Sequence, residues 1–132
     1  MRNTERFSNV LLPYIFRKTI TAGDVGYVEI PLTAHGYVTK CNVIFAAGEN
    51  GTLHVRPYCI LPGEIPQDLL FYAADRYVSG DDAKLTLDCY QEIEADTMLR
   101  VWYENTGTGD SQLTVDIMVQ YDDYTAPRNI IG

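Results

Sequence analysis

Eight apolar runs, separated by glycine, proline and acidic turns at intervals of about 8–15 residues, constrain this chain more than any other feature. Short runs at that spacing leave little room for amphipathic helices and predict an all-β sandwich or barrel. Successive side chains of a strand point to opposite faces, so regular alternation says which residues meet a core. The clearest case is residues 112–121, with Leu113, Val115, Ile117, Val119 and Tyr121 on one side and Thr114, Asp116 and Gln120 on the other. Residues 97–105 set Leu99, Val101 and Tyr103 against Met98, Arg100 and Trp102. Residues 85–90 set Leu85, Leu87 and Cys89 against Thr86, Asp88 and Tyr90.

Further strands are expected at 14–21, 26–32, 37–47 and 52–61. Asn50-Gly51 marks the turn between the last two, because a type I′ turn needs positive φ at both central positions. Pro57 removes a ladder donor and argues for an edge or a bulge there. Residues 67–78 fit two readings: Ile65, Leu69, Ala73 and Tyr77 have helical spacing, while Leu69 to Ala74 also suit a short buried strand. The count predicts an antiparallel β-sandwich, an eight-stranded jelly roll first. An immunoglobulin-like sandwich is second, because Trp102 follows Cys41, Cys59 and Cys89 instead of lying between two of them.

At 132 residues the chain is long enough for one domain with its own core. It divides into an N-terminal arm and start of the first strand (1–18), a sandwich (19–122) and a C-terminal tail (123–132). No run of 18 apolar residues is present, so no membrane span is expected. The polar start and the proline-broken run that follows it do not read as a signal peptide. The three cysteines lack CxxC spacing and sit in strand-like runs, which predicts buried reduced thiols made in a reducing cytoplasm.

The net charge of −8 is unevenly spread. Residues 1–18 carry Arg2, Arg6, Arg17 and Lys18 against Glu5, a net +3, while residues 19–127 carry five basic against seventeen acidic residues, a net −12. An acidic body repels phosphates, so nucleic acid is not an expected partner. The basic segment suits an arm that docks on an acidic neighbour.

Residues for chemistry are sparse. His35 precedes a turn glycine and His54 lies on the polar side of a strand, neither near a nucleophile motif, so no catalytic residue is assigned. Asp81-Asp82, Asp122-Asp123 and Asp110 lack the spaced acidic pattern of a calcium loop and read as solvated turns. No metal or cofactor is expected, and a cupin-type enzyme is disfavoured because no His-x-His pair is present. The surface is more informative. Tyr27, Tyr58 and Tyr90 alternate with core residues, and Trp102 shares a face with Arg100. Such residues favour a protein interface, with a sugar-stacking platform or burial under loops as the other readings.

The arm Met1–Lys18, the turn Ala22-Gly23-Asp24 feeding the strand 27–32, and the strands 97–105 and 112–121 together resemble the small jelly-roll structural proteins of bacteriophage particles. Capsid decoration (auxiliary) proteins and fibre-base domains are the groups meant. The resemblance implies a non-enzymatic virion component made in the host cytoplasm, oligomeric and commonly trimeric, held to a larger protein shell by termini and edges. Interface candidates are Trp102, Arg100, Tyr58 and Tyr90 on the body. Arg6, Phe7, Leu11, Leu12, Ile130 and Ile131 are the candidates at the ends, which either meet a neighbour or fold back on their own sandwich. The alternative function is a carbohydrate-binding module using Trp102 and the outward tyrosines.

Overall fold

The computed structural model describes residues 4–63, 65–69 and 77–127, with side chains described for 10–63, 66–69 and 77–122. Eight strands form in order: β1 (Thr4–Ile20), β2 (Val25–Pro31), β3 (Gly36–Phe45), β4 (Leu53–Leu61), β5 (Ile65–Asp68), β6 (Ala83–Ile93), β7 (Met98–Asn105) and β8 (Ser111–Pro127). Every named pairing is antiparallel. One sheet has the order β1-β8-β3-β6 and the other β2-β7-β4-β5. The pairs β1·β8, β2·β7, β3·β6 and β4·β5 are those of one long hairpin rolled into two sheets. That wiring is the jelly roll, and it displaces the immunoglobulin-like alternative.

The core lies between the sheets and follows the alternation. Leu113, Val115, Ile117, Val119 and Tyr121 of β8 are fully buried, as are Leu99 and Val101 of β7 and Cys41 of β3. Burial of each large apolar side chain contributes about 1.5–3 kcal/mol, so the alternating strands carry most of the stability. Tyr121 of this core shares a hydrogen bond with the half-buried Tyr14, Oη to Oη at 2.5 Å. It spares their hydroxyls the cost of burial without a partner.

Three local readings change. The first strand starts at Thr4 instead of residue 14, and the last runs to Pro127 instead of ending at Tyr121. Val10–Pro13 pair with Met118–Tyr121, and beyond them the two extensions pair with each other, Thr4↔Pro127 through Ser8↔Asp123, which irregular hydropathy does not reveal. Leu11 and Leu12 therefore belong to β1. Residues 65–68 form β5 against β4, while 70–76, on which the helix-or-strand question mainly falls, lie outside the described residues. Pro57 sits in an interior strand, yet its missing donor faces the side where β4 changes partner, from Val78 opposite Val55 to Asp68 opposite Tyr58.

Candidate interaction surfaces

The outer face of the β2-β7-β4-β5 sheet gathers part of the nominated surface. Pairing places Tyr27, Trp102 and Arg56 in one row and Glu29, Arg100, Tyr58 and Asp68 in the next. Arg100 is the centre. Its guanidinium lies 4.1 Å from the centroid of the Tyr27 ring, donates to Glu29 Oε2 at 2.8 Å through Nε, and donates to Tyr58 Oη at 3.3 Å through Nη1. Arg56 repeats the pattern, 4.7 Å from the Tyr58 centroid and donating to Asp68 Oδ1 at 2.7 Å. Each guanidinium thus has a carboxylate and a ring, the arrangement its planar fork favours. Despite the loss of water around it, the hydrogen bonds to Tyr58 and Glu29 hold the Arg100 pKa above its usual range. The sequence places Trp102 and Arg100 on one face and turns Tyr27 and Tyr58 outward; cross-strand register brings these together and adds Glu29, Arg56 and Asp68. A cleft of about 750 Å³ opens beside this ladder, lined by Arg56, Tyr58, Ile60, Met98 and Arg100 with the turn at Pro62-Gly63.

Tyr90 is elsewhere, on β6 of the opposite sheet, where it packs on Tyr37 at 4.8 Å and remains 79% exposed. The outer face of β1 is apolar by contrast. Leu11 is 52% exposed and Ile15 54%, with exposed Pro13 between them and Arg17 beyond. Leu12 points the other way and packs on the core. The backbones of Arg6 and Phe7 pair with Thr125 and Tyr124; Ile130 and Ile131 lie outside the described residues. β3 pairs with β8 only as far as Gly36↔Tyr121, so 4–8 and 123–127 continue as a two-stranded ribbon. Gly36 is required at that departure point, because a Cβ there would collide with the Gln120 carbonyl oxygen.

The groups for chemistry are built into structure. Cys41 and Cys59 are buried; burial pushes the Cys59 thiol up to about 12, the Cys89 thiol up to about 11, and Cys41 higher still. Thiols so raised are poor nucleophiles at neutral pH. His54 Nδ1 is 2.9 Å from Glu104 Oε1, and its ring stacks on Tyr77 at 3.8 Å. His35 lies between Asp122 and Glu92, with Nδ1 2.5 Å from the first and Nε2 2.7 Å from the second. Among the described residues no group of three or more His, Cys, Asp or Glu side chains has metal-binding geometry.

No family model and no curated protein matches the chain. Solved structures resemble it in fold. A chain of the T13 infectious bursal disease virus particle has a TM-score of 0.50 at 12% identity, covering 87% of this chain and 32% of the viral one. The carbohydrate-binding module CBM32-1 of a family 31 glycoside hydrolase from Clostridium perfringens has a TM-score of 0.48 at 16% identity, covering 81% of this chain and 75% of the module. The chain spans about a third of the viral chain it matches. At 12% identity the likeness to the viral chain is one of fold alone.

Proposed function

We propose that this chain is a non-enzymatic structural protein that self-associates and attaches to a larger protein assembly, of the kind that decorates a phage virion. The observation that carries the reading is β1. An edge strand of 17 residues shows Leu11 and Ile15 more than half exposed on one face and continues, paired with β8, beyond the rest of the sandwich. Single exposed apolar residues are ordinary, but Leu11, Pro13 and Ile15 form one continuous strip. Pro13 also blocks strand addition along this edge, so contact through the strip's face is favoured over sheet extension. Basic charge on the strip's own face, from Arg17, complements the −12 of residues 19–127 in any second copy. The test is sedimentation at high micromolar concentration. The native chain is expected to run as an oligomer, a trimer first, and the Leu11→Asp/Ile15→Asp pair as a folded monomer. A native chain that runs as a monomer overturns the self-association.

A second reading rests on the cleft beside Arg100. Two guanidiniums, each neutralised by a carboxylate, next to the Tyr58 ring and apolar Ile60 and Met98 suit a neutral polyhydroxyl ligand. Affinity electrophoresis in gels containing soluble polysaccharides tests it. Retardation that is lost in Tyr58→Ala supports a carbohydrate-binding module, and unretarded migration in every gel removes it.

A further inference from the structure

The site where the ribbon leaves the body is held by a three-residue cluster. His35, in the loop before β3, has Nδ1 2.5 Å from Asp122 Oδ2 and Nε2 2.7 Å from Glu92 Oε2. Asp122 belongs to β8, one residue past its last pairing with β3, and its backbone N–H donates to the His35 carbonyl at 3.3 Å. Glu92 belongs to β6, the far edge of the same sheet. A neutral imidazole has one N–H and one lone pair, so one carboxylate would face a lone pair. Both contacts are attractive only when both nitrogens carry protons. Among the described residues, the other titratable group that meets His35 is Tyr37 of β3, its ring edge-on at 5.6 Å, with Tyr90 of β6 packed behind it.

We propose that His35 is a proton-operated latch: as an imidazolium it ties the root of the β1–β8 ribbon, at Asp122, to Glu92 on the opposite edge of the sheet, and loss of its proton frees the ribbon. In its consequence for attachment the latch rests on the reading above; as a property of the fold it does not. Hydrogen bonds to Glu92 and Asp122 raise the His35 pKa above the ordinary value of about 6.5. A raised folded-state pKa gives a contribution that is complete below the unfolded value and lost as pH rises through the folded one. The latch is therefore closed on the acid side of that titration and open on the alkaline side. The ribbon is suited to such control, because two strands without a sheet behind them are marginal in water.

The test is an NMR titration of the His35 ring nitrogens together with amide hydrogen-exchange protection of residues 4–8 and 123–127. In the native chain the His35 midpoint is expected above about 6.5, and ribbon protection is expected to fall about fivefold as pH rises through it. In His35→Gln that fall disappears. Asp122→Asn, which keeps the size of the side chain, is expected to lower the His35 midpoint and loosen the ribbon about fivefold at a pH where the native latch is closed. A midpoint at or below about 6.5, or ribbon protection that does not change across it, overturns the latch. A monomeric chain that shows this titration keeps the latch and loses the self-association. An oligomer with a pH-independent ribbon does the reverse.

Discussion

The two ends of the sandwich are closed by different physics. At the end formed by loops 21–24, 46–52, 79–82 and 106–110, polar side chains are taken inside. Glu49, Asn105 and Ser111 are buried there, leaving Thr97 as the buried polar residue at the other end among the described residues. Asn105 Nδ2 donates to the carbonyls of Ile20 and Gly109 at 3.0 and 2.9 Å, and its Oδ1 accepts from Gly107 N–H at 3.0 Å. Glu49 Oε1 accepts from Gln112 N–H at 3.2 Å. At the ribbon end Thr97 Oγ1 accepts from Glu94 N–H at 3.1 Å, but the side-chain ties at the root of the ribbon are the exposed charges of His35, Glu92 and Asp122. The Asn105 hydrogen bonds join neutral groups, so they do not depend on a titrating proton. An exposed, charge-assisted tie is screened by salt and holds only while its proton is present. One end is a closed cap and the other a conditional attachment for the two chain ends.

The sharpest break of this contrast is Asn105→Ala. It removes three hydrogen bonds and leaves two carbonyls and one N–H to be satisfied in a buried site. The expected cost is about 3 kcal/mol by urea denaturation. A loss below about 1 kcal/mol means that water replaces the side chain and that this end is no more firmly closed than the other.

Glu49 gives a smaller effect with a definite sign. Burial raises its pKa, and Oε2 has no hydrogen-bond partner. Its stabilising contribution is complete below the unfolded-state value and is lost as pH rises through the raised folded one. The native chain should therefore lose stability relative to Glu49→Gln across that range, at no more than about 1.4 kcal/mol per pH unit. Melting curves of the two proteins that remain parallel from acid to alkaline pH remove Glu49 as the cause.

How much of this was legible in the sequence depended on whether the signal was local. Alternation in β7 and β8 placed Leu99, Val101, Leu113 and Val119 inside, because burial on one face writes a period of two into the chain. The same logic put Arg100 and Trp102 together on the opposite face. The ribbon was not legible. Thr4–Ser8 and Asp123–Pro127 lack alternation, and their pairing appears only when residues more than a hundred positions apart are brought into register. The His35 cluster is hidden for the same reason, since its partners come from β6 and β8. The Arg100 ladder was half visible. Composition marks tyrosine and arginine as interface residues, but only cross-strand register supplies Glu29 and Asp68 as counter-ions.

Deleting residues 1–8 has the smallest expected effect on folding and is the most direct test of the contrast. The deletion removes the part of β1 that pairs with 123–127 and leaves Leu12, Tyr14 and Phe16, which pack on the core, in place. Residues 4–8 lie beyond the last β3·β8 pair, so β8 is their neighbour in the sheet and no β3 partner is lost with them. The expected loss is within about 1 kcal/mol, because a two-stranded ribbon contributes little on its own. Association, by contrast, should weaken severely if the ribbon reaches a second subunit or a shell, and sedimentation of the shortened chain reads that directly. A destabilisation of about 3 kcal/mol, equal to that of Asn105→Ala, would make the ribbon part of the cooperative body and erase the difference between the ends. Undiminished association with unchanged stability would instead leave Leu11 and Ile15, which survive the deletion, as the contact that holds the subunits together.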